Sequence, residues 1–220
     1  RIIEEDIRVR LPLLPCTVSQ VAVRIAESLP TPPGLELVPE PCAEKGKKYP
    51  DPQDEVVLAG MSVIRAFDRL VELDERYVWS EVDGVLVVRP GVTWFDRNHF
   101  LNRRIPLFRV KDGRVWTALD AVHSALGGAR GPADEVWPAR TPQSDRMFSV
   151  SLGATTVVDA LNAVVRAHGS LRWAVDYCKP QALFEYAMVR LNTFDGGGIG
   201  RHSATQRDDG TWSDACHSEP

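Results

Sequence analysis

A chain of 220 residues with 44% hydrophobic and 25% charged residues has the balance of a folded globular protein, and its length allows one large domain or two small ones. A formal charge of -4 gives no electrostatic reason to bind a polyanion, which disfavours nucleic acid as a partner. No run reaches the roughly 18 to 20 apolar residues of a membrane-spanning helix, and "LPLLP" near the start is far too short.

In chain order, a strand is expected over Ile7–Leu13, then an amphipathic helix, "TVSQVAVRIAESL", from Thr17. Thr17 stands three residues before Gln20, the spacing of a helix cap, and Pro30 stops the pattern. A strand over Leu35–Val38, the Pro-rich charged loop "PEPCAEKGKKYPDPQDE" and a strand over Val56–Leu58 follow, then the helix "SVIRAFDRLVEL" from Ser62. "YVWSEVDGVLVVR" reads as a hairpin of Tyr77–Val82 and Val85–Arg89, because Asp83-Gly84 supplies the positive φ of a two-residue primed turn.

"PGVTWFDRNHFLNR" comes next, a connector whose Trp94, Phe95, Phe100 and Leu101 are expected to bury apolar area and join the flanking units. Beyond it lie a strand over Ile105–Val110 and the helix "RVWTALDAVHSAL" from Arg114, striped by Val115, Leu119, Val122 and Leu126 and stopped by Gly127 and Gly128. After the loop "GGARGPADEVWPARTPQSD" a strand spans Phe148–Leu152. The helix "TVVDALNAVVRAH" begins at Thr156, with Asp159 at the capping position and Gly169 as its stop. Strands over Leu171–Tyr177 and Ala187–Phe194 lead into a polar, Gly-rich end.

"MSVIRAFDRLVELDERYVW" from Met61 and "TTVVDALNAVVRAHGSLRW" from Thr155 align without a gap. They pair Val63 with Val157, Ala66 with Ala160, Phe67 with Leu161, Leu70 with Val164 and Trp79 with Trp173. The order of elements also repeats. The expected fold is α+β: two tandem small βαβ-type units at residues 1–92 and 103–195, each with a small mixed sheet packed against two helices. An aromatic connector at 93–102 joins them, and a Gly-rich polar arm at 196–220 ends the chain.

"VVLAGMSVIRAFDRLVELDERYVWSEVDGVLVVRP", preceded by strand, helix and strand, resembles the secretin and TonB N-terminal short domain. The strand ending "VLAG", the helix "SVIRAFDRLV", the strand "RYVW" and the closing "DGVLVVR" carry the likeness. The second unit matches through "VSLGATTVVDALNAVVRAHGSLRW", with "CKPQALFE" in place of the tight turn. The resemblance implies non-catalytic docking or signal transfer in the cell envelope and brings no catalytic residues. Arg1 in place of an initiating Met adds the expectation that a signal peptide or cloning scar has been removed.

There is no G-x-S-x-G elbow, no H-E-x-x-H and no P-loop, and "GGGIG" neither has dinucleotide spacing nor opens a helix. No catalytic residue, metal or cofactor is therefore assigned. Cys16, Cys42, Cys178 and Cys216 include no C-x-x-C pair. Their even count suits disulfides in an oxidising compartment, with Cys16 to Cys42 and Cys178 to Cys216 one of three connectivities; four reduced thiols are the alternative. His123 and His168 are expected on the polar surface or at helix ends, and His99 is expected to pack in the connector.

His202, Asp208, Asp209, Cys216 and His217 have metal-ligand chemistry at irregular spacing. A Cys178 thiolate with His202 or His217 as base would make a hydrolase, although a structural disulfide explains Cys178 better. Arg97, Arg103, Arg104 and Arg109, with Lys111 and Arg114 beyond, make the middle of the chain basic. The first four are candidate contacts for an anionic ligand or acidic protein patch, against the alternative of a solvated surface.

The expected function is a non-catalytic interaction or assembly module, periplasmic or extracellular. It would bind an envelope protein or its own copies as a homo-oligomer by strand or arm exchange, because sheet edges accept strands. The alternative is a sensor that holds an anionic small ligand between the two units.

Overall fold

A computed structural model describes residues 2–11, 17–28, 33–37, 53–126, 146–177 and 187–193, with two-residue strands at 205–206 and 212–213. The first half holds β1 (Arg8–Leu11), α1 (Thr17–Ser28), β2 (Pro33–Glu36), β3 (Asp54–Val57), α2 (Val63–Leu73), β4 (Tyr77–Val82) and β5 (Val85–Pro90). The connector folds as a short helix α3 (Gly91–Phe95) and a 3-10 turn over Phe100–Asn102. The second half holds β6 (Arg104–Ile105), β7 (Phe108–Gly113), α4 (Val115–Ala125), β8 (Phe148–Leu152), β9 (Thr155–Thr156), α5 (Val157–His168), β10 (Leu171–Tyr177) and β11 (Ala187–Thr193).

Local chemistry explains the boundaries. Ser62 caps α2 by accepting from the Arg65 amide at 3.3 Å. Thr156 caps α5 by accepting from the Asp159 amide at 3.2 Å, and the Asp159 carboxylate accepts from the Thr156 amide at 3.4 Å, a reciprocal capping box. Gly169 ends α5 at φ 79°, a left-handed conformation that glycine adopts without steric cost. Asp83 and Gly84 take φ of 51° and 78°, so Val82 pairs with Val85 across the expected primed turn.

Several pairings occur in both halves. β1 runs antiparallel to β3 with Val9 opposite Val56, and β7 runs antiparallel to β8 with Val110 opposite Val150. Ser62 bridges Ile2, and Thr156 pairs with Arg104. Val63, Ala66, Phe67 and Leu70 of α2 are buried, as are Val157, Ala160, Leu161 and Val164 of α5. Trp79 donates its indole N–H to Asp68 at 3.1 Å, and Trp173 donates to Asn162 at 2.8 Å. The acceptor differs with burial: a carboxylate serves the partly buried Trp79, whereas the fully buried Trp173 meets a neutral amide, which is cheaper to remove from water.

The α+β class is as expected, but the main sheet is not divided between the halves. One five-stranded sheet has the order β11-β10-β2-β5-β4. β2 is its seam, running parallel to β10 on one side and to β5 on the other. The two hairpins, β4–β5 and β10–β11, flank that seam.

Helices cover both faces. Leu35, Leu86 and Val88 pack into a core with α1 and α2, while Val85, Val87, Leu171, Trp173 and Val175 pack with α4 and α5. Burial on both sides explains why β5 reads as the uninterrupted apolar run "VLVV" instead of an alternating one. Within the connector, Leu101 is buried and Trp94 and Phe100 pack against the second core. Phe95, expected to join them, is 75% exposed. Consecutive residues of a helix do not share a face, so α3 cannot bury both Trp94 and Phe95.

Candidate functional site

Gly34 of β2 pairs with Val87 of β5, which brings the next same-face residues, Glu36 and Arg89, side by side. The Arg89 Nε donates to Glu36 Oε2 at 2.5 Å. Its Nη1 donates to Asn102 Oδ1 at 2.8 Å, and its Nη2 to the Thr93 carbonyl at 3.0 Å and to His99 Nδ1 at 3.2 Å. The guanidinium carbon lies 5.5 Å from the Trp94 ring centre, within cation–π range. His99 Nε2 stands 3.4 Å from Glu36 Oε1. Glu36, Arg89 and His99 are at most 6% exposed.

A guanidinium has donors only, so the His99 nitrogen facing it must accept. The His99 proton then sits on Nε2, toward Glu36. Carboxylate and imidazole side by side have the makings of an acid–base pair, yet both ring nitrogens face partners within the fold. The hydroxyl of Thr93, whose carbonyl accepts from Arg89, donates to the Pro90 carbonyl at 3.0 Å. Asn102 further donates to the carbonyls of Thr93, Trp94 and Asp96. The arrangement clamps the connector to the sheet, and the position expected for His99 in the connector carries a polar role beyond packing.

Burial lowers the His99 pKa, and Arg89 lowers it further, against upward pulls from Glu36 and Asp96. The unfolded chain therefore takes up a proton at about pH 6.5, where the folded one still resists it, and stability must fall as pH drops below that value. Urea midpoints should decline from pH 7.5 to 5.5 by more in the wild type than in His99→Gln. Parallel declines would show that other groups set the acid limit.

The four arginines marked as candidate contacts are exposed and lie on different elements. Arg97 lies in the turn after α3, and Arg104 is in β6, paired with Thr156. Arg103 donates to the Leu126 carbonyl at 2.8 Å, where a cation suits the C-terminal end of α4. Arg109 lines an open depression of about 430 Å³ with Val110, Lys111, Ser149, Val150 and Ser151. At the described seam between the halves, Trp173, Glu36 and Arg89 are buried.

His168 does end α5, but it is buried, not on the surface, with Phe148 edge-on at 5.4 Å. His123 takes its expected place in the last turn of α4. Cys16, Cys42, Cys178, Cys216, His202, Asp208, Asp209 and His217 all lie outside the described residues. Among the described residues no three His, Cys, Asp or Glu side chains are placed to hold a metal.

No family model matches the chain. Searches of curated proteins and of solved structures likewise return no match. The likeness to the secretin and TonB N-terminal short domain thus rests on the quoted sequence motifs. Sequence reasoning missed the Glu36–Arg89–His99 network. The one available signal was the polar Arg89 closing an apolar strand directly before the aromatic connector.

Proposed function

We propose that the chain is a non-catalytic assembly module, periplasmic or extracellular, whose copies associate by strand pairing along β4. The edge of β4 is the observation that carries this reading. All six of its residues are in register with β5, and among the described residues no strand covers its outer side. Natural edge strands are ordinarily shielded by lysine, proline or a bulge. "YVWSEV" has no lysine or proline and no register shift, and Glu81 is its one charge.

The N-terminal segment is a poorer candidate for exchange, because Ile3, Ile7 and Val9 are buried within their own chain. The resemblance to an envelope docking module agrees with the reading. Sedimentation of the wild type should give a mass above the monomer that falls with dilution, and Val78→Lys/Ser80→Lys should sediment as a monomer. A monomeric wild type, or an unchanged variant, overturns the proposal.

A further inference from the structure

The two β-ribbons can be compared position by position up to the register shift that follows Val110. Arg8 lies opposite Val57 and Arg10 opposite Glu55 in the β1–β3 pair, while Arg109 lies opposite Ser151 in the β7–β8 pair. The first ribbon neutralises its cations. Arg8 lies 3.3 Å and Arg10 3.9 Å from the Glu55 carboxylate, and Arg8 also pairs with Asp6 at 2.7 Å.

In the second ribbon the cations recur as Arg109 and Lys111, but the equivalent of Glu55 is Ser149. Among the described residues neither Arg109 nor Lys111 forms an ion pair. Val110 and Val150, whose side chains turn into the core, line the depression beside them. One acid does lie nearby: Asp112, at φ 44° in the β7 irregularity, accepts from the Ser149 hydroxyl at 3.1 Å and donates its amide to it at 2.9 Å. Ser149 is thereby occupied, leaving Arg109, Lys111 and Ser151 as donors toward solvent.

We infer that this face binds an extended acidic segment of a partner protein, with carboxylates at alternate positions. Arg109 and Lys111 are two residues apart on one strand, so their side chains leave the same face roughly 6.6 Å apart. An extended peptide presents every second side chain at that same interval. The depression is open, and a compact metabolite would keep most of its surface in water there, unlike a ligand in a true small-molecule pocket. A peptide lying along the ribbon gains one charge contact per repeat and needs no enclosure. Binding of this kind is weak, and salt screens it.

The surface is separate from the β4 edge, and each reading stands or falls by its own measurement. The full-length chain is titrated at low salt into a fluorescent peptide with aspartate at every second position, and into its asparagine counterpart, with anisotropy as the readout. The aspartate peptide should bind at least about tenfold tighter. Arg109→Ser/Lys111→Ser should abolish that preference. Ser149→Glu, which restores the acid that Glu55 provides in the first ribbon, should abolish it too, with the far-ultraviolet circular dichroism spectrum checking that the variant is folded.

Equal binding of the two peptides overturns the inference. Wild-type affinity in both variants also overturns it, because the peptide then binds elsewhere. Displacement by inorganic phosphate well below the concentration at which sodium chloride of equal ionic strength displaces the peptide overturns the peptide assignment in favour of a small oxyanion.

Discussion

Arg89→Leu should lower the unfolding free energy by about 3–5 kcal/mol, because it leaves the buried Glu36 carboxylate without its guanidinium partner. The same substitution strips a donor from the carbonyl of Thr93 and from Asn102, loosening the start of the connector. Glu36→Leu/Arg89→Leu should recover most of the loss, since replacing a whole buried ion pair with apolar side chains is often close to neutral. The double-mutant cycle, read from urea denaturation at pH 7.5, isolates the pair's coupling. A single-variant loss below about 1 kcal/mol is what an exposed pair gives, and it would refute the buried geometry.

That network shows where sequence reasoning stops. The elements were legible because their causes are local. Phe148–Leu152 and Leu171–Tyr177 match their expected bounds, and α2 and α5 begin one residue after the caps that Ser62 and Thr156 provide. The expected strand over Ile105–Val110 divides into β6 and β7 around Pro106, which has no N–H to give a ladder. The partners of a strand are not local. Nothing in "PGLE" states that β2 will lie between hairpins from opposite halves, and Arg89 finds Glu36 across 53 positions of sequence. A charge at the end of "VLVVR" reads as the solvated tip of a strand until the connector folds back over it.

The candidate site divides in the same way. A run of arginines marks a basic stretch, but strand parity and helix ends assign each side chain a different neighbour. Arg103 goes to a helix carbonyl and Arg109 to an open face. The informative contrast, Glu55 against Ser149, was already present in the doubled sequence. It acquires meaning only once the matching pairs Val9–Val56 and Val110–Val150 place Glu55 and Ser149 as the adjacent residues along β3 and β8.

Gly34→Ala should destabilise the protein by about 1–3 kcal/mol, although alanine is ordinarily the better strand residue. Gly34 pairs with Trp173 on one side and Val87 on the other, and a Cβ there would stand 2.1 Å from the Trp173 indole. The ring cannot easily step aside, because it is fully buried and its N–H is held by Asn162. Glycine is therefore a condition for laying the indole across the seam, a close approach of the kind that glycine within a strand marks. Trp173→Leu alone should cost about 3 kcal/mol or more through the cavity it opens. In that background the atoms that meet the new Cβ are gone, and the backbone entropy of glycine becomes the larger effect. Gly34→Ala should then turn neutral or stabilising. Thermal and urea unfolding of the four proteins decides the matter: a cost for Gly34→Ala that is the same with and without the indole would mean that Trp173 does not lie over β2, and that the two hairpins are not joined there.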